Sequence, residues 1–195
     1  MEPIILASAS PRRAEYFRLL GLPFSSVAPD LDESYEPGSE PEFVVKGLAI
    51  GKVRRILEML KGKEAPWVCG ADTLISLDGI IRGKPANRSE AEQMLLSFSG
   101  RSHEVISAVA LYSGGSKIID CRTVTSSVSF APLSRDEIEW YLDSGEWEDA
   151  AGAYKIQGLA SCFITEIKGS YSSIVGLPLR EIYAMLRDNG YPYGG

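Results

Sequence analysis

The chain has 195 residues, 45% of them hydrophobic and 24% charged. This is ordinary globular composition, which excludes a disordered tail, a collagen-like chain and a coiled-coil rod. Lys and Arg number 20 against 26 Asp and Glu, a formal charge of −6; that speaks against a non-specific nucleic-acid binder, whose footprint is basic, but leaves room for a small anion where a few cations converge.

The three cysteines, Cys69, Cys121 and Cys162, stand alone, and His103 is the only histidine. Their spacing does not make a zinc site, and free, buried, inert thiols in a reducing compartment are expected. The segment Met1–Ser8 has no basic stretch and only a short apolar run, so no signal peptide is expected. No stretch approaches the ~20 apolar residues that span a bilayer. A soluble, cytoplasmic protein without a membrane partner is the expectation, and a homodimer is kept open as its assembly.

In chain order, Ile4 to Ala7 is predicted to be a short buried strand. Ser10 is then a natural N-cap, with Pro11 at the first helical position and Gly21 closing the helix. Phe17, Leu19 and Leu20 supply that helix with an apolar face. Strand, small-residue turn and helix N-terminus together offer backbone N–H groups to an anion. Phe24 to Val27 is a second strand candidate, followed by an acidic loop from Asp30 to Glu40. Pro41 to Leu60 carries Phe43, Val44, Leu48, Val53, Ile56, Leu57 and Leu60 at helical spacing. A strand from Trp67 to Cys69 is expected to end at Gly70-Ala71-Asp72-Thr73 and to resume over Leu74 to Leu77. Asp78-Gly79 is a hairpin signal leading back through Ile80 and Ile81. Ser89 and Glu92 read as a capping box for a helix to Phe98, and Ser134 and Glu137 as another for a helix to Leu142. Long strands are expected over Glu104 to Tyr112 and Lys117 to Phe130. A strand over Ser161 to Ile167 and a terminal helix over Leu179 to Asn189 complete the pattern. Helices alternating with strands and hairpins predict an α/β fold with a mixed sheet in a single domain, residues 1–195.

Four segments are polar beyond what loops need. Arg12 and Arg13 lie in the first turn of a helix, where the macrodipole disfavours cations. An anionic partner would answer that placement; so would solvent or surface acids. Asp72 follows an apolar strand, where ligands bind in open α/β sheets, and such a carboxylate holds Mg²⁺, acts as a base, or simply satisfies a turn. Lys84 is held between Gly83 and Pro85 and can meet a phosphate as a point charge, although the chain lacks a P-loop. In Ala151-Gly-Ala-Tyr-Lys-Ile-Gln-Gly158, small residues permit a close backbone approach or a packing corner, and Gln157 can pair with an amide-like edge. With Glu33 in the acidic loop and Lys52 on the long helix, this is the inventory for a metal-bound polyphosphate.

Leu6-Ala-Ser-Ala-Ser-Pro-Arg-Arg13, Gly70-Ala-Asp-Thr73, Gly83-Lys-Pro85, Ser99-Gly-Arg-Ser-His103, Ala151-Gly-Ala-Tyr154, Ile156-Gln-Gly158 and Gly169-Ser-Tyr171 through Val175-Gly-Leu-Pro178 resemble, in order, the motifs of the Maf family. The resemblance implies a nucleoside triphosphate pyrophosphatase with an inosine-triphosphatase-like α/β fold, two lobes around a central cleft. Within the family, Arg12-Arg13, Asp72-Thr73 and Ile156-Gln157-Gly158 look like the subgroup that prefers dTTP and UTP, which would keep such nucleotides, modified ones included, out of nucleic acids. A sister subgroup associated with 7-methyl-GTP tends to carry Gln after the Asp and Glu in place of the later Gln. One departure is that Ala150 stands where many members have lysine, and Lys155 follows Tyr154.

The resemblance implies the following roles. Asp72 is the proton acceptor and, with Glu33, a ligand for a divalent cation, Mg²⁺ or Mn²⁺. Ser8, Arg12, Arg13, Lys52 and Lys84 neutralise the triphosphate, while Arg12, Thr73 and Gln157 discriminate the base. His103 is expected to be structural. The competing reading is a nucleotide-binding regulator of cell division and septum formation with little turnover. A nucleic-acid module has only Arg12-Arg13 and Arg54-Arg55 behind it.

Overall fold

The computed structural model describes residues 1–61 and 67–193. In chain order the elements are β1 (Ile4–Leu6), α1 (Pro11–Leu19), β2 (Phe24–Ser26), α2 (Pro41–Met59), β3 (Trp67–Leu77), β4 (Ile80–Arg82), α3 (Arg88–Phe98), β5 (Ser102–Ser113), β6 (Ile118–Phe130), α4 (Arg135–Asp143), β7 (Ile164–Lys168), α5 (Tyr171–Val175) and α6 (Leu179–Asp188). The strands form a mixed seven-stranded sheet in the order β2-β1-β3-β5-β6-β7, with β4 paired to β3. β1 runs parallel to both β2 and β3, which the intervening helices α1 and α2 make possible as crossovers. β4 and β7 are antiparallel to β3 and β6. The α/β fold with a mixed sheet and flanking helices is as expected.

The chain divides into two compact units, Met1–Asp72 with Ser107–Val124 and Gly176–Gly195, and Thr73–Ile106 with Thr125–Val175. Each has its own core. In the first, Ile4, Leu6, Trp67 and Cys69 of the sheet pack with Phe17 of α1 and Ile182 of α6. In the second, Ile75, Leu95, Phe98, Phe130, Tyr141 and Phe163 are central. Among the described residues no helix is long and apolar enough to cross a membrane.

Local signals work where a few neighbouring residues decide the outcome. Gly21, at φ 66°, follows α1 in the left-handed conformation, and its N–H donates to Arg18 O. Asp78 and Gly79 have φ of 55° and 76°, as a two-residue hairpin turn between β3 and β4 requires. Ser134 and Glu137 form the expected capping box.

Several expectations are corrected. β3 does not break at Gly70-Ala71-Asp72-Thr73 but runs unbroken through it. Gly70 does not mark a turn. It makes room for α2, because a Cβ there would meet Ala49 O at 2.6 Å and Val53 Cγ2 at 2.9 Å. α3 is capped by Asn87 rather than Ser89. Asn87 Oδ1 accepts from the Glu90 N–H at 3.0 Å, and Glu90 Oε2 accepts from the Ala86 N–H. Leu19 and Phe43 are 71% and 75% exposed, because α1 buries Ala14 and Phe17 while α2 turns Val45, Ala49, Val53 and Ile56 inward. Ser161 to Phe163 lie in a short 3-10 turn, so β7 starts only at Ile164. All three cysteines are free thiols, but only Cys69 is buried; Cys162 is exposed.

Candidate active site

The site grows from the docking of α2 on β3. With no side chain at Gly70 the helix closes on the strand, and Lys52, one turn beyond Ala49, arrives beside Asp72 on the same face of β3. Lys52 Nζ donates to Asp72 Oδ1 at 2.5 Å and lies 2.7 Å from Glu33 Oε1. The Lys52 and Asp72 side chains are 7% and 10% exposed and that of Glu33 55%, so a dry pair carries one wetter carboxylate at its edge.

Glu33 is delivered by the acidic loop. Leu31 packs against Gly51 of α2, where a Cβ would meet its Cδ2 at 3.2 Å. Arg55 Nε donates to Asp30 O at 3.1 Å, and Asp32 Oδ1 accepts from the Ser34 N–H at 2.9 Å, closing an Asx turn around Glu33. Three segments distant in sequence thus bring two carboxylates to one ammonium.

The turn after β1 contributes Ser8 and Arg13. Buried Ser8 Oγ accepts from the Ser10 N–H at 3.1 Å and from Arg13 Nη1 at 3.2 Å, and Arg13 Nε donates to Gly176 O at 2.9 Å. Burial lowers the pKa of the Arg13 guanidinium, and the nearby Asp72 carboxylate acts in the opposite sense. Among the described residues Ser10 makes no side-chain cap bond, so its hydroxyl does not cap the Arg12 and Arg13 N–H groups at the start of α1. Arg12 is partly exposed and has no ion-pair partner among the described residues. In β1's neighbour, burial pushes the Cys69 thiol up to about 12, which makes it an inert core residue.

The remaining candidates belong to the second unit. Thr73 follows Asp72 along β3, so its side chain projects from the opposite face of the strand. Lys84 Nζ lies 3.7 Å from Asp149 Oδ1, both well exposed. Gln157 is exposed, on a turn closed by the Gly158 N–H donating to Lys155 O. His103 is buried, its Nε2 sharing a 2.8 Å hydrogen bond with Tyr154 OH, and burial lowers its pKa to about 4. The first unit therefore assembles Ser8, Arg13, Glu33, Lys52 and Asp72. Sequence reasoning did not assign Gly70, Gly51 or Gly176 a part in this. The signal was their place inside the ordered motifs and on a helix; their partners are remote in sequence.

The fold has a counterpart among solved structures. The Ham1 protein of Staphylococcus aureus superposes with a TM-score of 0.54, covering 96% of this chain and 99% of that one at 16% identity, a likeness of fold alone. The family is narrower. The Maf-like protein model matches residues 3–189. The chain is 45% identical to the dTTP/UTP pyrophosphatase of Symbiobacterium thermophilum over 98% of this chain and 96% of that one. It is 44% identical to the dTTP/UTP pyrophosphatase of Shewanella denitrificans over 93% of each. The chain belongs to the Maf family.

Proposed function

We propose that the chain is a nucleoside triphosphate pyrophosphatase that hydrolyses dTTP and UTP to the monophosphate and pyrophosphate. The observation that carries this reading is the Lys52 ammonium shared between Asp72 and Glu33, in a chain whose relatives bear that name over nearly their whole length. The regulator reading is not favoured, because those relatives are named for turnover.

Water adds to the α-phosphorus and the bond to the bridging oxygen breaks, so pyrophosphate leaves. There is little covalent work for the protein beyond positioning and charge stabilisation. Asp72 Oδ1 is held by Lys52, while Oδ2 has no hydrogen bond among the described residues and takes the proton of the attacking water. Lys52 thus aims the base. Ser8, Arg12, Arg13 and Lys52 offer donors to the triphosphate. The role of Lys84 on the phosphates, and those of Arg12, Thr73 and Gln157 on the base, rest on the family resemblance.

The donor set fits a hard divalent cation. Mg²⁺ keeps its waters and takes one or two carboxylates plus substrate phosphates, and Glu33 and Asp72 are two carboxylates that both reach the Lys52 ammonium. Among the described residues no group of three or more His, Cys, Asp or Glu is placed to hold a metal ion; Glu33 and Asp72 would hold it, with water and phosphate as its other ligands. When bound, it supplies charge neutralisation at the transferred phosphoryl group. A cytoplasmic location suits a nucleoside triphosphate substrate.

Uracil and thymine share an acceptor–donor–acceptor edge. The Gln157 carbonyl can accept from N3–H and its NH₂ can donate to a neighbouring carbonyl, whereas cytosine reverses part of that pattern. Pyrophosphate release from the canonical triphosphates with Mg²⁺ tests the reading. The expected result is that dTTP and UTP lead and Asp72→Asn loses about 10²-fold or more in kcat. CTP or GTP ahead of both would overturn the specificity, and a near-wild-type Asn variant would overturn the role of Asp72.

A further inference from the structure

The turn before Gln157 is held in an unfavourable backbone. Asp149, Gly152 and Ala153 have φ of 55°, 65° and 64°. Glycine adopts that region freely and aspartate tolerates it, whereas alanine holds it only where the surroundings impose it. Here they do. The Gly152 N–H donates to Gly83 O at 2.9 Å. A Cβ on Gly152 would meet Ile75 Cδ1 at 2.7 Å and Phe98 Cε2 at 3.3 Å, so the turn lies directly on the core. Tyr154 OH shares its 2.8 Å hydrogen bond with His103 Nε2, and both side chains are buried. The His103 ring packs on Phe98 with centroids 4.2 Å apart, and Tyr154 meets Phe130 edge-on at 5.0 Å.

This one turn anchors two loops. Upstream, Gly83 immediately precedes Lys84, and Ala86 and Asn87 are tied down by Glu90 and the cap of α3. Downstream, Ile156 is buried and the Leu159 N–H donates to Glu146 Oε2 at 2.8 Å, so Gln157 stands on a loop pinned at both ends. The polar pair at the centre is not a cheap way to fill space. Two apolar rings would pack among Phe98 and Phe130 without desolvating a hydroxyl and an imidazole, and His103 Nδ1 is buried with no partner among the described residues. What such a pair adds over an apolar one is a single defined geometry.

We propose that the His103–Tyr154 hydrogen bond is a positioning device for substrate discrimination: it holds the turn at 151–154 and, through it, the Lys84 and Gln157 loops in one arrangement. His103 and Tyr154 are positioning residues that touch no substrate. The inference rests on the roles given above to Lys84 and Gln157.

Tyr154→Phe removes one oxygen and keeps the ring. The KM for dTTP should rise roughly 10-fold with kcat within about twofold, and the dTTP-over-CTP ratio of kcat/KM should fall roughly 10-fold. His103→Gln, whose amide nitrogen reaches the place of Nε2, should keep the ratio within about threefold, whereas His103→Leu should lose it as Tyr154→Phe does. A purely structural bond would lower the melting temperature and leave KM and the ratio unchanged in Tyr154→Phe and His103→Leu; that result overturns the proposal, and His103→Leu decides alone should Tyr154→Phe not fold. Gln157→Glu measured in parallel separates the two readings. If it lowers the ratio and Tyr154→Phe does not, the positioning role fails alone; if it too leaves the ratio unchanged, the role of Gln157 fails with it.

Discussion

Lys52→Met keeps most of the stem of the side chain and removes its ammonium, leaving Asp72 without the partner that sits 2.5 Å away. The Lys52 and Asp72 side chains are 7% and 10% exposed, and taking one member from so dry a pair costs about 3–5 kcal/mol, because the other charge stays buried. The half-exposed Glu33 adds little, since solvent already screens it. For a chain of 195 residues each kcal/mol moves the melting temperature by about 2–4 °C, so the variant should melt roughly 6–20 °C lower. The double variant Lys52→Met/Asp72→Asn removes the stranded charge as well and should recover about 1–3 kcal/mol of that loss, a coupling expected only of residues in contact. Both variants should be down about 10²-fold or more in kcat/KM, so stability and activity part company. Thermal denaturation by circular dichroism with pyrophosphate release in parallel reads both. A single variant melting within about 2 °C of the wild type, or a double variant no more stable than the single, would refute the buried pair.

Other consequences follow from the same geometry. Gly70→Ala places a Cβ 2.6 Å from Ala49 O, so α2 must shift; a loss of about 1–3 kcal/mol and of roughly 10-fold in kcat/KM is expected, and wild-type melting and turnover would show that Gly70 does not seat the helix. Glu33→Gln should raise the Mg²⁺ needed for half-maximal activity roughly 10-fold, and a chelator should abolish wild-type activity; indifference to chelator contradicts both statements. Burial lowers His103 to about 4 from 6.5, so the folded chain binds that proton less readily than the unfolded one. Its contribution is present above pH 6.5 and is lost as pH falls toward 4, up to about 3 kcal/mol. Tyr154 is the titratable group in contact with the ring, and burial raises its pKa, so it stays protonated throughout. The melting-temperature gap between wild type and His103→Gln should therefore narrow from pH 7 to pH 4.5, and a constant gap would refute the assignment.

Part of this architecture can be read along the chain, because near neighbours decide it. Asp78-Gly79 makes a hairpin on the backbone preferences of two residues. Ser134 and Glu137 cap α4 by reaching three residues, and Gly21 closes α1 because it tolerates a positive φ. The candidate site was legible as a set of residue types. Carboxylates and cations stand in small-residue segments, and the ordered motifs point to their family.

Other features were set by partners distant in sequence. Gly70 and Ala71 look like a strand end locally; only the approach of Ala49 from α2 shows that a missing side chain keeps the strand whole and admits the helix. Periodicity offered Phe43 and Leu19 to the core, and packing against the sheet chose Val45, Ala49 and Phe17 instead. The same holds at the site. The sequence by itself determined that Glu33, Lys52 and Asp72 are present on a loop, on a helix and at what reads as a strand end. That one ammonium serves both carboxylates was decided by Leu31 seating on Gly51 and α2 seating on Gly70, since backbone preference acts over a few residues while close packing acts between whichever elements the fold brings into contact.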